Sequence, residues 1–280
     1  MSTVRLENIT YRYSKYRDAL VNATASIEPG IHLLLGENGS GKTTLLHVMA
    51  GLRLPQEGIC LIDGEDVSMR EPSVLSRVFF LPDDGMLPCK TINEFSRMHA
   101  GFYPNFSAED LALNLADFGL SGDEPLKALS LGMRKKAAIA YVLALHCAVT
   151  LLDEPTNGLD INAKKQLRHL MMRNMRDDAV VIVSTHTVWD LEQLFDGVMM
   201  LRSGHIMMSR TVDEITSRLA FVTSPASIDG ALYQEFSMTG YRGIVESSDD
   251  VETQIDYNLL YSALMSPSAE SVLGVINNKG

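Results

Sequence analysis

The stretch Gly36-Glu37-Asn38-Gly39-Ser40-Gly41-Lys42-Thr43-Thr44 constrains this chain more than any other feature. An apolar run at 31–35 leads into it, and a helical pattern at 43–52 follows. A strand that breaks into a glycine-rich loop and continues as a helix is the context in which G-x-x-x-x-G-K-[ST] holds phosphate. The glycines let backbone N–H groups curl round an anion without a Cβ in the way, and the helix start adds its positive dipole end. Gly36, Asn38, Gly39, Ser40, Gly41, Lys42, Thr43 and Thr44 are therefore the candidate phosphate-binding set. Lys42 would reach the β- and γ-phosphates, and the Thr43 hydroxyl would ligate Mg²⁺. A chance match is on the order of one in a hundred for a chain of ordinary composition. The bland alternative is a glycine-rich turn.

A second stretch, Val149-Thr150-Leu151-Leu152-Asp153-Glu154, is an apolar strand ending in two carboxylates. In a doubly wound α/β sheet, strand carboxyl ends gather on one edge, beside the phosphate loop. Asp153 is then the candidate Mg²⁺ partner and Glu154 the candidate general base for an attacking water. An isolated Asp-Glu pair would more often open an exposed turn. After a phosphate loop the catalytic reading is favoured.

Net charge argues about partners. A formal charge of -11 disfavours a general electrostatic grip on nucleic acid or on anionic lipid, so any phosphate is held by local geometry. The three cysteines, Cys60, Cys89 and Cys147, match no metal spacing and fit a reducing compartment. The start MSTVRLENIT has no apolar signal-peptide core. The longest apolar stretch, 137–152, is short for a membrane span and reads as a helix followed by a strand. A soluble protein that reaches a membrane only through a partner is expected.

Strands are expected at 3–10, 23–27, 31–35, 58–62, 78–81, 148–152, 180–184, 197–201 and 205–209, with helices at 131–145, 161–176 and 188–195. Helical patterns at 93–100 and 108–118 form an insertion, and Ser107 with Asp110 marks a helix start. Residues 219–280 carry a weaker mixture, with candidate segments at 221–222, 231–236, 241–245 and 259–265. The division expected is a main domain at 1–216, with a helical subdomain at about 91–145, and an accessory domain at 217–280.

Asp153-Glu154-Pro155-Thr156-Asn157-Gly158-Leu159-Asp160 resembles the second nucleotide motif and aspartate loop of ATP-binding-cassette transporter ATPases. Leu129-Ser130-Leu131-Gly132-Met133 lies where that family carries its signature sequence, and Ser184-Thr185-His186 where it has a switch histidine. The resemblance covers roughly 3–215. It implies an ABC cassette fold: a mixed-sheet core with an antiparallel β subdomain and a helical subdomain, followed here by a small α+β appendage. It implies ATP and Mg²⁺ as ligands and a head-to-tail dimer of cassettes, identical or related. Ser130 and the N–H groups near Gly132 would cap the ATP held by the other copy. His186 would contact the γ-phosphate or the water, and Asp160 would bridge the interface, although it also suits a helix N-cap. Tyr13 best matches the family's adenine-stacking aromatic, with Tyr11 and Tyr16 as rivals.

Two residues depart from the family pattern. Asp83 stands where a glutamine is usual, as a possible metal ligand, and Leu131 replaces the first signature glycine. The segment Tyr103-Pro104-Asn105-Phe106-Ser107, the Leu-Ser-x-Gly-Met signature and the appendage are similar to bacterial exporter ATPases that pair with a separately encoded permease. A cytoplasmic location, peripheral on the membrane's inner face, follows from that resemblance. The alternatives are a soluble cassette ATPase acting on ribosome or DNA, and a regulatory cassette with little turnover. The acidic single cassette disfavours the first; Lys42, Asp153, Glu154 and His186 together disfavour the second.

Overall fold

A computed structural model describes residues 3–14, 17–85, 87–185, 191–238, 240–247 and 253–277. The first two strands, β1 (Val4–Ser14) and β2 (Arg17–Ile27), pair antiparallel. Val4, Leu6 and Ile9 on β1 and Leu20, Ala23 and Ile27 on β2 face inward. That one-sided burial is what an antiparallel sheet with a wet outer face requires. In β3 (Gly30–Gly36), by contrast, all seven residues are buried. A strand with both faces covered reads as a continuous apolar run, and each fully buried leucine in it contributes about 1.5–3 kcal/mol.

Helix α1 (Lys42–Met49) leaves the phosphate-loop sequence directly. It is shorter than the expected 43–52, because Ala50 already closes its end and Gly51 takes a left-handed turn. Next come β4 (Glu57–Ile62), β5 (Glu65–Asp66), α2 (Pro72–Leu75) and β6 (Val78–Leu81). The helical insertion holds α3 (Ile92–His99), α4 (Ala108–Asp117) and α5 (Leu131–Ala144). Ser107 caps α4 as expected, its Oγ accepting from Asp110 N at 3.1 Å. The chain then forms β7 (Val149–Asp153), α6 (Ile161–Asn174), β8 (Val180–Ser184), β9 (Gly197–Arg202) and β10 (His205–Thr211). Of the helix expected at 188–195, residues 188–190 lie outside the described residues, and Glu192–Leu194 is a single 3₁₀ turn.

Two sheets frame this region. One is antiparallel, in the order β2-β1-β4-β5; the other runs β10-β9-β3-β8-β7-β6, parallel except for β10. The parallel strands put the carboxyl ends of β3, β8 and β7 side by side, which fixes where the site forms.

Beyond α7 (Val212–Thr216), strands β11 (Leu219–Ser224), β12 (Tyr233–Ser237) and β13 (Gly240–Glu246) form a small antiparallel sheet in the order β11-β13-β12. Helices α8 (Tyr257–Met265) and α9 (Ala269–Asn277) end the described chain. The pattern did not reveal α7 or α9. Tyr257, Leu260, Leu264 and Ile276 share one hydrophobic cluster with Leu33 and Leu152 of the main sheet. Arg202 Nη1 donates to Leu264 O at 3.3 Å, and the Phe195 and Tyr257 rings meet edge-on at 5.8 Å. No single described helix is long and apolar enough to cross a membrane. The bent pair α8–α9 has the composition for it, yet its apolar side chains are spent in this protein core.

Candidate functional site

Asp153 ends β7 opposite Ser184 at the end of β8, and β8 lies between β7 and β3. Sheet geometry therefore brings Asp153 within reach of the helix that follows β3. Thr43 Oγ1 donates to Asp153 Oδ2 at 2.7 Å, and the Ser184 hydroxyl donates to Asp153 Oδ1. Asp153 is 6% exposed, so these bonds satisfy a carboxylate that burial would otherwise penalise. Ser184 is a site residue that sequence reasoning missed. Only its position as register partner of Asp153 reveals it.

The phosphate-loop sequence forms a tight cradle. Lys42 Nζ donates to Gly36 O at 2.7 Å and to Glu37 O at 3.2 Å, across the mouth of the loop. Burial pushes the Lys42 ammonium below its ordinary pKa, while Glu154 and Asp153 oppose that shift. Gly41 has φ +109°, and a Cβ there would lie 2.3 Å from Ala19 O, so both strain and sterics demand glycine. The Ser40 hydroxyl is buried and unpartnered among the described residues.

A cleft of ≈ 220 Å³ opens in front of this cradle. Asn38, Gly39, Gly41, Lys42, Thr43, Thr44, Asp153 and Glu154 line it, joined by Arg17, Asp18 and Ala19 from the start of β2. Gly36 and Ser40 stand in the loop behind. The residues fit a magnesium–triphosphate ligand. A buried hydroxyl lacks a partner, glycine keeps the loop open, and Thr43 with Asp153 offers the hard oxygen donors Mg²⁺ takes.

Tyr13 sits beside the same helix, its hydroxyl 2.9 Å from Thr44 Oγ1 and its ring 44% exposed. The Arg53 guanidinium lies 4.7 Å from that ring's centroid and donates to Tyr11 Oη at 2.9 Å. Of the rivals, Tyr11 is thus engaged by Arg53, and Tyr16 lies outside the described residues. Arg17 and Arg53 had no sequence signal, since each sits alone in an ordinary strand or turn.

The other expected site residues are elsewhere. Ser130 caps α5, its Oγ accepting from Met133 N at 3.2 Å, and it is exposed. Gly132 is packed so closely that a Cβ would lie 3.0 Å from Gly158 O. Asp160 caps α6 by accepting from Ala163 N at 2.8 Å, the bond that holds its carboxyl below the usual range. It lines a separate groove of ≈ 740 Å³ with Lys136 and Ile161. None of these three lines the phosphate cleft. His186 lies outside the described residues.

Asp83 accepts from Lys135 Nζ at 2.9 Å and from Asn157 Nδ2 at 3.2 Å, and it is not among the residues that line the phosphate cleft. Burial also silences two of the cysteines. Cys60 and Cys147 are both pushed up to about 12, which keeps them as thiols.

Residues 20–157 match the family model described as ABC transporter. The chain is similar to the energy-coupling factor transporter ATP-binding protein EcfA of Methanothermobacter thermautotrophicus, at 31% identity over 76% of this chain and 72% of that one. It is also similar to the ABC transporter ATP-binding protein NatA of Bacillus subtilis, at 29% identity over 70% of this chain and 83% of that one. Among solved structures, a dimeric ATP-binding cassette in a post-hydrolysis state, bound to ADP and Pi, superposes with a TM-score of 0.64 at 25% identity. That superposition covers 74% of this chain and 98% of the other.

Proposed function

The chain belongs to the ABC transporter family, and on that premise we propose that it drives an exporter, working as a head-to-tail dimer on a separately encoded permease. It is an ATP-binding subunit of an ABC transporter, and its cassette hydrolyses ATP with Mg²⁺. In the proposed reaction Lys42 and the loop N–H groups hold the β- and γ-phosphates. Thr43 and Asp153 would hold Mg²⁺, which would supply positive charge beside the phosphate oxygens. Glu154 accepts a proton from water as its oxygen attacks the γ-phosphorus; the bond to the β–γ bridging oxygen breaks and its electron pair leaves with ADP. Tyr13 stacks on adenine, and His186, outside the described residues, would contact the γ-phosphate or the attacking water.

The single supporting observation is a separation. Lys42, Thr43, Asp153 and Glu154 share one cleft, while Ser130 and Gly132 stand outside it, at the solvent-reaching start of the otherwise buried α5. A second copy docked head to tail would bring its α5 over the first copy's phosphates, with Asp160 at the seam. Export rests on the Leu-Ser-x-Gly-Met signature and the appendage. It would place the protein on the inner face of the membrane, held there by the permease.

Glu154→Gln tests the core of this reading. ATP binding persists, turnover falls by roughly 100-fold or more as expected for losing a general base, and an ATP-bound dimer accumulates in size-exclusion chromatography with light scattering. Unchanged turnover removes Glu154 from its role. Affinity purification from membranes of the native host tests the partner: a multi-spanning membrane protein co-purifies, and recovery of the chain from the soluble fraction alone removes the permease.

A further inference from the structure

Lys135 has no part in the chemistry above, yet it is more deeply buried than any other described lysine, at 2% exposure. It lies on α5, one turn beyond the exposed signature segment. Its ammonium donates three hydrogen bonds: to Asp83 Oδ1 at 2.9 Å, to Glu154 O at 2.8 Å and to Asn157 O at 3.0 Å. An ammonium has three donors, so its capacity is filled. The segment after β6 closes over it, since a Cβ on Gly85 would touch the Lys135 backbone at 3.3 Å.

The bond to Glu154 stands out. Glu154 has φ +47°, in the left-handed region that a non-glycine residue enters at a cost. Such a conformation persists only where the surroundings over-determine it. Here they act on both sides of the residue. Glu154 N donates to Ser184 O at 3.0 Å and to Ser184 Oγ at 3.2 Å, while Glu154 O accepts from Lys135 and from Asn157 N at 3.2 Å. Remove the ammonium and the carbonyl side loses its charged donor. The backbone can then relax toward negative φ, which swings the side chain.

We propose that Lys135 is a positioning residue for hydrolysis, holding the strained backbone of Glu154 so that its carboxylate is aimed at the attacking water. This rests on the reading of Glu154 as general base. Asp83 balances the charge of Lys135 from the loop after β6, and Asn157 joins both, so one ammonium ties α5, that loop and the catalytic strand end together. The residue does not line the phosphate cleft and belongs to turnover rather than to nucleotide binding.

The test uses the full chain, with turnover at saturating Mg-ATP and affinity for a fluorescent ATP analogue. Lys135→Met lowers kcat by roughly tenfold or more, the scale of a catalytic group displaced by about 1 Å, and leaves affinity within about twofold. Lys135→Arg, which keeps charge and donors, regains a large part of the loss. A kcat loss smaller than that in folded Lys135→Met, an equal loss of affinity, or no rescue by arginine overturns the proposal. If the methionine variant does not fold, Lys135→Gln replaces it. Glutamine ends one bond short of the three oxygens, so the same kcat-only loss is expected and wild-type turnover overturns the proposal. Glu154→Gln run alongside separates the failures. If it turns over normally the base assignment falls. If it is inactive while Lys135→Met is normal, only the role of Lys135 falls.

Discussion

Two helix starts in this molecule carry candidate binding groups, and they are built in opposite ways. Helix α1 begins at Gly41, which has no side chain to cap the free N–H groups, and Lys42 and Thr44 in its first turn are buried. Helix α5 begins at Ser130, whose hydroxyl caps Met133 N, and the side chains of Leu131 and Met133 that follow are exposed. The first turn of any helix leaves N–H groups in need of an acceptor. At α1 that need is left to a ligand, in a cleft completed by the chain's own Asp153 and Glu154. At α5 it is partly met from within, and none of residues 130–133 lines the phosphate cleft. One start is a finished half-site. The other offers a surface that acts only when something is brought to it.

The largest expected effect is at α1. Lys42→Ala lowers ATP affinity by roughly 30-fold, about 2 kcal/mol, in an equilibrium titration of the isolated chain; unchanged affinity would erase the distinction between the two helix starts. Ser130→Ala comes next. Loss of the cap destabilises the fold by about 1 kcal/mol in urea, and turnover falls by about tenfold while ATP affinity of the monomer holds. Should monomer affinity fall with it, Ser130 serves its own cleft and the contrast is wrong. The smallest effect is at Leu131, 54% exposed. Leu131→Ala leaves stability within about 0.5 kcal/mol, and weakens ATP-dependent dimerisation by about threefold as partly buried apolar area is lost. Analytical ultracentrifugation reads this directly; a monomer–dimer equilibrium that does not move removes Leu131 from the interface.

The difference between the two helix starts also explains what was legible. The phosphate loop is contiguous in sequence, so spacing alone names Gly36 to Thr44 and the elements on either side. The caps Ser107, Ser130 and Asp160 are equally local, each bonding a backbone N–H three residues on. Ser184 and Lys135 were not legible, because their partners are 31 and 52 residues away and only sheet order and helix packing bring them together. The pairing of Asp83 with Lys135 was hidden for the same reason.

The sequence by itself determined the parallel core strands, the phosphate loop and the acidic strand end, since each rests on a short-range rule: period, glycine freedom, or one residue type at a strand terminus. Tertiary structure alone decided which of those pieces share a cleft. Register set Ser184 beside Asp153, packing drove Lys135 against Glu154 O and Asp83, and the placement of α5 left Ser130 outside the phosphate cleft. These are choices among long-range contacts with no local signature, which is why they waited for the fold.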